Sequence, residues 1–272
     1  MRTIYEAPIS FFNQKLDKQV LKYFKIKSRK KPNLSPWKKI TNITLNTKKS
    51  INIAIIGKYV NLKDAYKSLD EALIHGGIAN KIKVNLIRIE SDKLKVNQIK
   101  DKLKNISGLL IPGGFGKRGT EGKIFAIKFA RENKIPFLGI CFGMQMATIE
   151  FARNELKIKK AGSSELDKNC FPVIGLIDEW NKDGKIIKGT DKKLGGTMRL
   201  GLYEARLRNN SAIKKIYKSS SINERHRHRY EVNNNLKDEF ERKGLIFSGM
   251  SPDKNLPEII ELKNHPWFIG VQ

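Results

Sequence analysis

A cysteine between two glycines is the feature of this sequence that most clearly indicates chemistry. Cys141 is the middle residue of GICFG (139–143). It stands between the apolar run PFLGI (136–140) and the run FGMQMATIEFARN (142–154). Glycines on both sides permit a tight strand-to-helix turn that holds a side chain clear of a sheet. The positive potential at a helix N-terminus favours the thiolate, the nucleophilic form of cysteine. We therefore predict that Cys141 is a nucleophile, although many free cysteines are only small buried apolar residues.

A glycine-rich turn at the end of the preceding apolar run is the second candidate feature. The sequence PGGFG (112–116) closes the run GLLIPGG, with Gly114 at its centre. Backbone N–H groups in such a turn can stabilise the oxyanion of a tetrahedral intermediate. Turns of this kind are common after strands, so the motif alone indicates little. Beside a nucleophile on the next strand, it becomes a strong indication of an oxyanion hole.

Four apolar runs alternate with helical segments and predict the sheet that positions these residues. The runs cover residues 51–57, 83–89, 108–114 and 136–140. Such alternation is typical of a parallel sheet covered on both faces, whose ligands bind beyond the carboxyl ends of the strands. From residue 173 onward the runs become shorter and less regular. The predicted fold is therefore α/β, with a mostly parallel central sheet flanked by helices and a small additional mixed-sheet region.

The ends of individual elements are predicted from single residues. Asp64 is a candidate N-cap for the helix after the first strand, and Gly76-Gly77 is expected to end that helix. GLIDEW (175–180) and GGTMRLGLYEARL (195–207) are expected to form two of the shorter strands.

The first 50 residues differ in character from the rest of the chain. Residues 27–50 carry two prolines and many charges, which indicates a linker with one short helix after Pro36. Regular alternation begins at Ile51. We therefore divide the chain into residues 1–50, a tail and linker, and residues 51–272, one globular domain. The first part is expected to pack poorly on the second.

Composition indicates a folded protein of a reducing compartment. The chain has 272 residues, of which 39% are apolar, enough to form a core. It contains no apolar run of membrane-spanning length, and its start, MRTIYEAPISFF, does not resemble a secretory signal. Two distant cysteines form neither a disulfide framework nor a zinc motif. We expect a cytoplasmic protein without a membrane partner.

The net charge of +27 raises the alternative of nucleic-acid binding. The lysines are scattered rather than concentrated with aromatic residues on one segment, as a binding face would require. Lysine, asparagine and isoleucine are abundant together, which is typical of an AT-rich coding sequence. We expect no specific nucleic-acid partner, and weak, salt-dependent DNA affinity would be consistent with that interpretation.

Several longer motifs give the sequence a family resemblance. PGGFG, GICFGMQ and RHRHRYEVNN are similar to the class I glutamine amidotransferases. The segments GKYVNLKDAYKSLDEAL, GGTMRLG and HPWFIGVQ more narrowly resemble the CTP synthases, over about residues 51–272. Upstream, TIYEAP and LSPWKKI resemble the end of the synthetase domain of that family and its connection to the glutaminase.

The resemblance implies a role for individual residues. Cys141 would attack the carboxamide of glutamine and form a γ-glutamyl thioester. The backbone N–H groups of Gly114 and Phe142 would stabilise the oxyanion, and Phe115 would cover the substrate. The other residues implied in glutamine binding are Gly143, Met144, Gln145, Glu165 and Arg229.

The resemblance also implies partners outside this domain. Ammonia would pass to a synthetase domain, where ATP with Mg²⁺ phosphorylates UTP and ammonia displaces the phosphate to form CTP. The reaction belongs to a ligase of pyrimidine biosynthesis. GTP would activate the glutaminase, through the loops around 57–59 and 117–119. The glutaminase itself is expected to need no cofactor and no metal, and the complete protein is expected to be a homo-oligomer.

One departure from the family pattern concerns the catalytic base. In the family a His-Pro-Glu motif follows a Gly-Val-Gln-aromatic segment, and these residues end at Gly270-Val271-Gln272. His265-Pro266 is followed by tryptophan and is not that motif. We therefore expect a fragment with an incomplete triad and weak activity. A non-catalytic relic or an interaction module with the same fold is the alternative.

Overall fold

The computed structural model describes residues 1–27, 30–60, 62–176, 179–182, 185–188, 198–254 and 256–272. The chain divides into two compact units, Met1–Asn52 with Tyr66–Leu86, and Ile53–Ala65 with Ile87–Gln272. This division differs from the predicted boundary between residues 50 and 51, because a segment beyond that boundary groups with the start of the chain. Among the described residues, no helix is both long and apolar enough to cross a membrane.

Nine α-helices and fourteen strands are formed by the described residues. The helices are α1 (Ala7–Asn13), α2 (Leu16–Tyr23), α3 (Ser35–Asn46), α4 (Lys67–Ala79), α5 (Ile99–Leu103), α6 (Thr120–Glu132), α7 (Phe142–Asn154), α8 (Ala212–Tyr217) and α9 (Lys237–Arg242). The strands are β1 (Ser50–Gly57), β2 (Lys83–Glu90), β3 (Gly108–Ile111), β4 (Phe137–Ile140), β5 (Ala161–Ser163), β6 (Phe171–Leu176), β7 (Glu179–Lys182), β8 (Lys185–Lys188), β9 (Arg199–Leu207), β10 (Ser221–His228), β11 (Tyr230–Val232), β12 (Leu245–Met250), β13 (Pro257–Leu262) and β14 (Phe268–Val271).

In the first unit, the start of the chain packs against helix α4. The Tyr5 hydroxyl donates to Glu71 at 3.2 Å, and the Tyr5 ring lies 5.9 Å from the His75 ring. Thr41 Oγ1 donates to the Tyr5 carbonyl oxygen at 3.2 Å, which ties α3 to the same point. The helix predicted after Pro36 is present as α3. Through Tyr5 it is connected to α4, so it is not part of an unpacked linker.

Helix α4 begins and ends at different residues from those predicted. Its N-cap is Tyr66, and Asp64 lies in a preceding 3-10 turn. The helix continues through Gly76-Gly77 to Ala79. A Cβ on Gly77 would lie 2.5 Å from the Ile82 carbonyl oxygen. Gly77 is thus required by the close return of the chain toward β2, not by a helix end.

A large sheet has the strand order β10-β9-β12-β13-β14-β4-β3-β1-β2. The strand pairs β14/β4, β4/β3 and β3/β1 are parallel. The pairs β13/β14, β12/β13, β9/β12 and β9/β10 are antiparallel. The carboxyl ends of β3 and β4 therefore meet at one edge of the sheet, where a ligand site is expected.

A smaller sheet of order β11-β6-β5 completes the predicted mixed region. Its β5/β6 pair is parallel and its β6/β11 pair is antiparallel. Strands β7 and β8 form a separate antiparallel pair. The predicted fold class is confirmed. The predicted strands over GLIDEW and GGTMRLGLYEARL lie partly outside the described residues, at 177–178 and 195–197.

Helix α7 is buried along most of its length, with all residues from Phe142 to Ala152 enclosed. It contacts β3, β4 and β14 of the large sheet and β5 and β6 of the small one. The carboxylate of Glu150, inside this helix, is bound by the Arg131 guanidinium at 2.9 Å. Because packing on both sides holds α7, the residue at its start has a well-defined position.

Candidate active site

Cys141 occupies a strained turn between β4 and α7. Its φ of 51° and ψ of −104° lie in a region that side chains rarely adopt. A Cβ on Gly139 would lie 2.7 Å from the Gly143 carbonyl carbon, and one on Gly143 would lie 2.2 Å from the Ile111 carbonyl oxygen. Both glycines are therefore required by close approach of the backbone, and the predicted strand-turn-helix geometry is confirmed.

The glycine-rich loop of residues 112–116, here called the oxyanion loop, faces the cysteine. Strand β3, which precedes it, pairs with β4 through Ile111 and Gly139. A Cβ on Gly113 would be 3.7 Å from the Cys141 Cβ. Gly114 and Cys141 line the same cavity. The prediction that these two residues lie at the ends of neighbouring strands is confirmed.

A cavity of about 390 Å³ brings together five residues of the predicted site, Gly114, Cys141, Gln145, Glu165 and Arg229. The remaining lining residues are Phe115, Met198, Arg227, His228 and Tyr230. Arg229 presents a buried Nε atom without a hydrogen-bond partner in the described part of the chain. The cavity thus combines a thiol with a guanidinium and a carboxylate, groups that can bind the two charged ends of an amino acid.

Three predicted glutamine-binding residues do not line this cavity. The side chains of Phe142 and Met144 are almost completely buried in the core. Gly143 packs against the backbone of β3. The first turn of α7 points its side chains into the protein, so only the backbone of these residues could serve a ligand. The Phe142 N–H forms a hydrogen bond with the Cys141 thiol.

The electrostatic environment of Cys141 differs from the expected one. Burial raises the pKa of the Cys141 thiol to about 11, and the carboxylates of Glu231 and Glu165 add to the increase. The hydrogen bond from the Phe142 N–H lowers this pKa but does not compensate for burial. The helix N-terminus alone would favour the thiolate, but the enclosed position of Cys141 and the two carboxylates outweigh it, so a neutral thiol is the resting form.

Gln272, which follows strand β14, makes contacts that sequence reasoning did not identify. Gln272 Nε2 lies 3.8 Å from Cys141 Sγ, and Gln272 Oε1 lies 3.5 Å from Gln145 Nε2. The Cys141 N–H donates to the Val271 carbonyl oxygen at 2.6 Å. Gln145 also donates to the Tyr230 carbonyl oxygen at 3.0 Å. The end of β14, which is parallel to β4, therefore lies beside Cys141.

The oxyanion loop is tied to the glutamine-binding side of the cavity. The Gly116 N–H donates to Glu165 Oε1 at 2.9 Å. Phe115, next to it, is 55% exposed and can cover a ligand. Glu165 therefore has a structural partner in the oxyanion loop, which sequence reasoning had not suggested.

None of the four histidines forms a hydrogen bond with Cys141 among the described residues. His75 lies on α4 of the first unit. His265 approaches the Ala130 carbonyl oxygen at 3.3 Å, before the start of β14. His226 and His228 contact each other at 2.8 Å. Burial lowers their pKa values to about 4 and about 3, with a further contribution from Arg199, so both are neutral.

His226 and His228 belong to a buried group here called the Arg199 cluster, formed with Glu231 and Glu258. Arg199 Nη1 lies 2.8 Å from one carboxylate oxygen of each glutamate. His228 Nδ1 lies 3.4 Å from Glu231 and His226 Nδ1 lies 3.7 Å from Glu258. A guanidinium inside the group disfavours a metal cation, and no metal-binding group of histidine, cysteine or carboxylate side chains occurs in the described residues.

Comparison with protein families matches residues 61–272 to the family described as glutamine amidotransferase class-I. Comparison with curated proteins adds two relatives. The CTP synthase of Pelagibacter ubique is 75% identical over 272 residues, which are 100% of this chain and 51% of that protein. The CTP synthase of Zymomonas mobilis is 52% identical over 274 residues, 100% of this chain and 50% of that protein. The chain spans about half the length of these relatives.

A solved structure is also similar to this chain. The glutaminase domain of Trypanosoma brucei CTPS, with bound acivicin, is 32% identical. It superposes with a TM-score of 0.73 over 82% of this chain and 84% of that domain.

Proposed function

The chain belongs to the class-I glutamine amidotransferases and, among them, to the glutaminase domains of CTP synthases, and from this premise we propose that Cys141 is the nucleophile of glutamine hydrolysis. The observation that carries the proposal is the strained turn that places the thiol opposite Gly114 in one cavity. Positive φ at a non-glycine residue costs free energy. A turn that pays this cost to present a thiol supports a chemical role.

The charges of the cavity favour an amino-acid substrate. Arg229 is suited to the α-carboxylate, because a guanidinium binds a carboxylate through two parallel hydrogen bonds. Glu165 is suited to the α-ammonium group. Gln145, held by the Tyr230 carbonyl oxygen at 3.0 Å, lies next to the thiol. A substrate anchored at these groups would extend its side-chain carboxamide toward Cys141.

The reaction then proceeds in two steps. The sulfur attacks the carboxamide carbon, and the N–H groups of Gly114 and Phe142 stabilise the oxyanion. The C–N bond then breaks, and the nitrogen takes the thiol proton and leaves as ammonia. The acyl group remains bound to sulfur as a thioester. Water then attacks the thioester and releases glutamate and the thiol. Both steps need a proton carrier.

We propose that these 272 residues by themselves turn over glutamine slowly. The raised pKa of Cys141 leaves little thiolate at neutral pH. The histidines among the described residues form no hydrogen bond with the thiol. Glu231 and Glu165, the carboxylates that act on the thiol, raise its pKa, so they do not assist its ionisation.

The larger role follows from the relatives. We propose that the ammonia is used by a synthetase domain that forms CTP from UTP with ATP. The name of the curated relatives indicates the formation of CTP for those proteins. In that setting the chain is the ammonia-supplying part of a ligase. Glutamine is the substrate of the part described here.

The test is covalent labelling with a glutamine-analogue chloroketone, followed by mass spectrometry and an ammonia assay. We expect slow labelling at Cys141, none in Cys141→Ser, and steady ammonia release near background. Absence of labelling would overturn the nucleophile proposal, and rapid ammonia release would contradict the slow turnover proposed for these residues.

A further inference from the structure

Behind the oxyanion loop lies a buried lysine that the proposed chemistry does not use. Lys58 follows the end of β1 and is 6% exposed. Its ammonium group donates to the carbonyl oxygens of Phe115 and of Gly116, the latter at 2.5 Å. A single side chain from a neighbouring strand therefore holds two consecutive peptide groups of the loop.

The placement of this lysine is costly. Lys58 forms no ion pair with a carboxylate among the described residues. Burial lowers its pKa, and Arg118 lowers it further, whereas Glu165 and Asp92 oppose the decrease. A buried charge without a paired carboxylate is unfavourable. Such a residue contributes little to stability, so its hydrogen bonds to the loop suggest a different benefit.

The loop is held from two directions. Lys58 binds carbonyl oxygens on one side, and Glu165 accepts the Gly116 N–H at 2.9 Å on the other. Fixing these peptide planes also fixes the direction in which the chain leaves Gly114. An oxyanion donor is effective only when its N–H points at the position of the developing charge.

We propose that Lys58 is a positioning residue, which orients the Gly114 N–H for the oxyanion by holding the Phe115 and Gly116 carbonyl groups. The inference rests on the proposed function, since it assumes that the loop serves a tetrahedral intermediate at Cys141. Lys58 does not touch the substrate. It acts through the loop.

A second buried lysine provides a matched control. Lys123, on α6, lies 4.7 Å from the centre of the Phe142 ring, and Lys58 lies 5.3 Å from the same ring. Both ammonium groups are buried. Within the described part of the chain, only Lys58 donates hydrogen bonds to the oxyanion loop. The variants Lys58→Met and Lys123→Met therefore each remove one buried charge near the ring, but only the first releases the loop.

The experiment measures inactivation by the glutamine-analogue chloroketone, separated into its binding constant and its maximal rate. Lys58→Met should lower the maximal rate by about 10²-fold, the usual effect of losing an oxyanion donor, with less than a threefold change in the binding constant. Lys58→Arg should restore much of the rate, because a guanidinium can still donate to the two carbonyl groups. Lys123→Met should change the rate less than threefold. Alkylation by iodoacetamide, which needs no oxyanion site, should be similar in all variants.

Three outcomes would overturn the inference. These are an unchanged maximal rate in Lys58→Met, an equal loss in Lys123→Met, and a parallel loss of iodoacetamide alkylation. If Lys58→Met does not fold, as judged by its thermal transition, Lys58→Gln serves for the same comparison. The proposed function fails separately, because its failure would already show as a lack of chloroketone labelling in the unmodified protein.

Discussion

Two groups of buried charges adjoin the same cavity, and they are built in opposite ways. In the Arg199 cluster, one guanidinium is placed between the carboxylates of Glu231 and Glu258 at 2.8 Å from each. The lysine pair, Lys58 and Lys123, brings two ammonium groups to one aromatic ring with no carboxylate ion pair in the described residues. The first group has compensated charges, and the second has like charges.

The difference in charge pairing indicates that the Arg199 cluster stabilises the fold, whereas the lysine pair does not. A buried ion pair depends strongly on both partners, since removal of one leaves an unpaired charge. The Arg199 cluster joins the start of β9 to β11 and β13. Its histidines lie on β10, the strand that precedes the cavity residues Arg229 and Tyr230. Uncompensated ammonium groups instead reduce stability. Loss of the Arg199 cluster should therefore destabilise the protein, whereas loss of a lysine should not.

The largest expected effect is that of Arg199→Met. It leaves two buried carboxylates without a cation, and breaking a buried pair in this way costs about 3–5 kcal/mol. Urea denaturation, followed by circular dichroism, measures the free energy of unfolding. The control is Arg208→Met, which removes an exposed guanidinium 3.0 Å from Glu241, and it should cost less than about 1 kcal/mol. Equal losses in the two variants would contradict the support role of the cluster.

A smaller effect of opposite sign is expected for Lys123→Met. Methionine has a similar length and no charge, so the variant should be more stable by about 1–3 kcal/mol at pH 7, the usual penalty of an unsatisfied buried group. The same denaturation assay measures it. A loss of stability would contradict the interpretation that the buried charge of Lys123 is uncompensated.

The pH dependence of this effect has a definite sign. Burial lowers the pKa of Lys123 from 10.5 to about 7, with contributions from Lys58 and Arg118. Between these values the unfolded chain binds more protons than the folded protein, so stability rises with pH. Lys123→Met lacks this increase, and its advantage should shrink from pH 7 to pH 9 by up to about 1.4 kcal/mol per pH unit.

The smallest effect is expected for Glu231→Gln. Because Glu258 remains to pair with the guanidinium of the Arg199 cluster, replacing the Glu231 carboxyl group by a neutral amide should change the free energy of unfolding by less than about 1 kcal/mol near neutral pH. Burial and the neighbouring Glu258 raise the pKa of Glu231 above its ordinary 4.5. The folded protein retains this proton as pH rises, so the unmodified protein loses stability relative to the variant. Denaturation of both proteins at pH 6.5 and 8.5 tests the sign, and a constant difference would contradict it.

The sequence predicted those parts of the fold that rest on local patterns. The alternating apolar runs predicted the four strands β1 to β4 and the helices between them, and the glycines around Cys141 predicted the turn. The end of α4 was placed too early at Gly76-Gly77, because glycine is also selected where two backbones approach closely. The grouping of residues 1–52 with α4 was missed, because it depends on contacts such as Tyr5–Glu71 between residues distant in the chain.

For the site, short motifs determined the candidate nucleophile and the oxyanion loop, and the family resemblance implied the charged groups that suit glutamine. Each of these depends on a short motif or on the chemistry of one side chain. Only the tertiary structure decided which of them share a cavity, that Phe142, Gly143 and Met144 turn into the core, and that Cys141 is a neutral thiol. These properties arise from burial and from charges such as Glu231, which long stretches of chain bring together. A one-dimensional pattern contains no measure of that proximity, and so the electrostatics of the site could be known only from the fold.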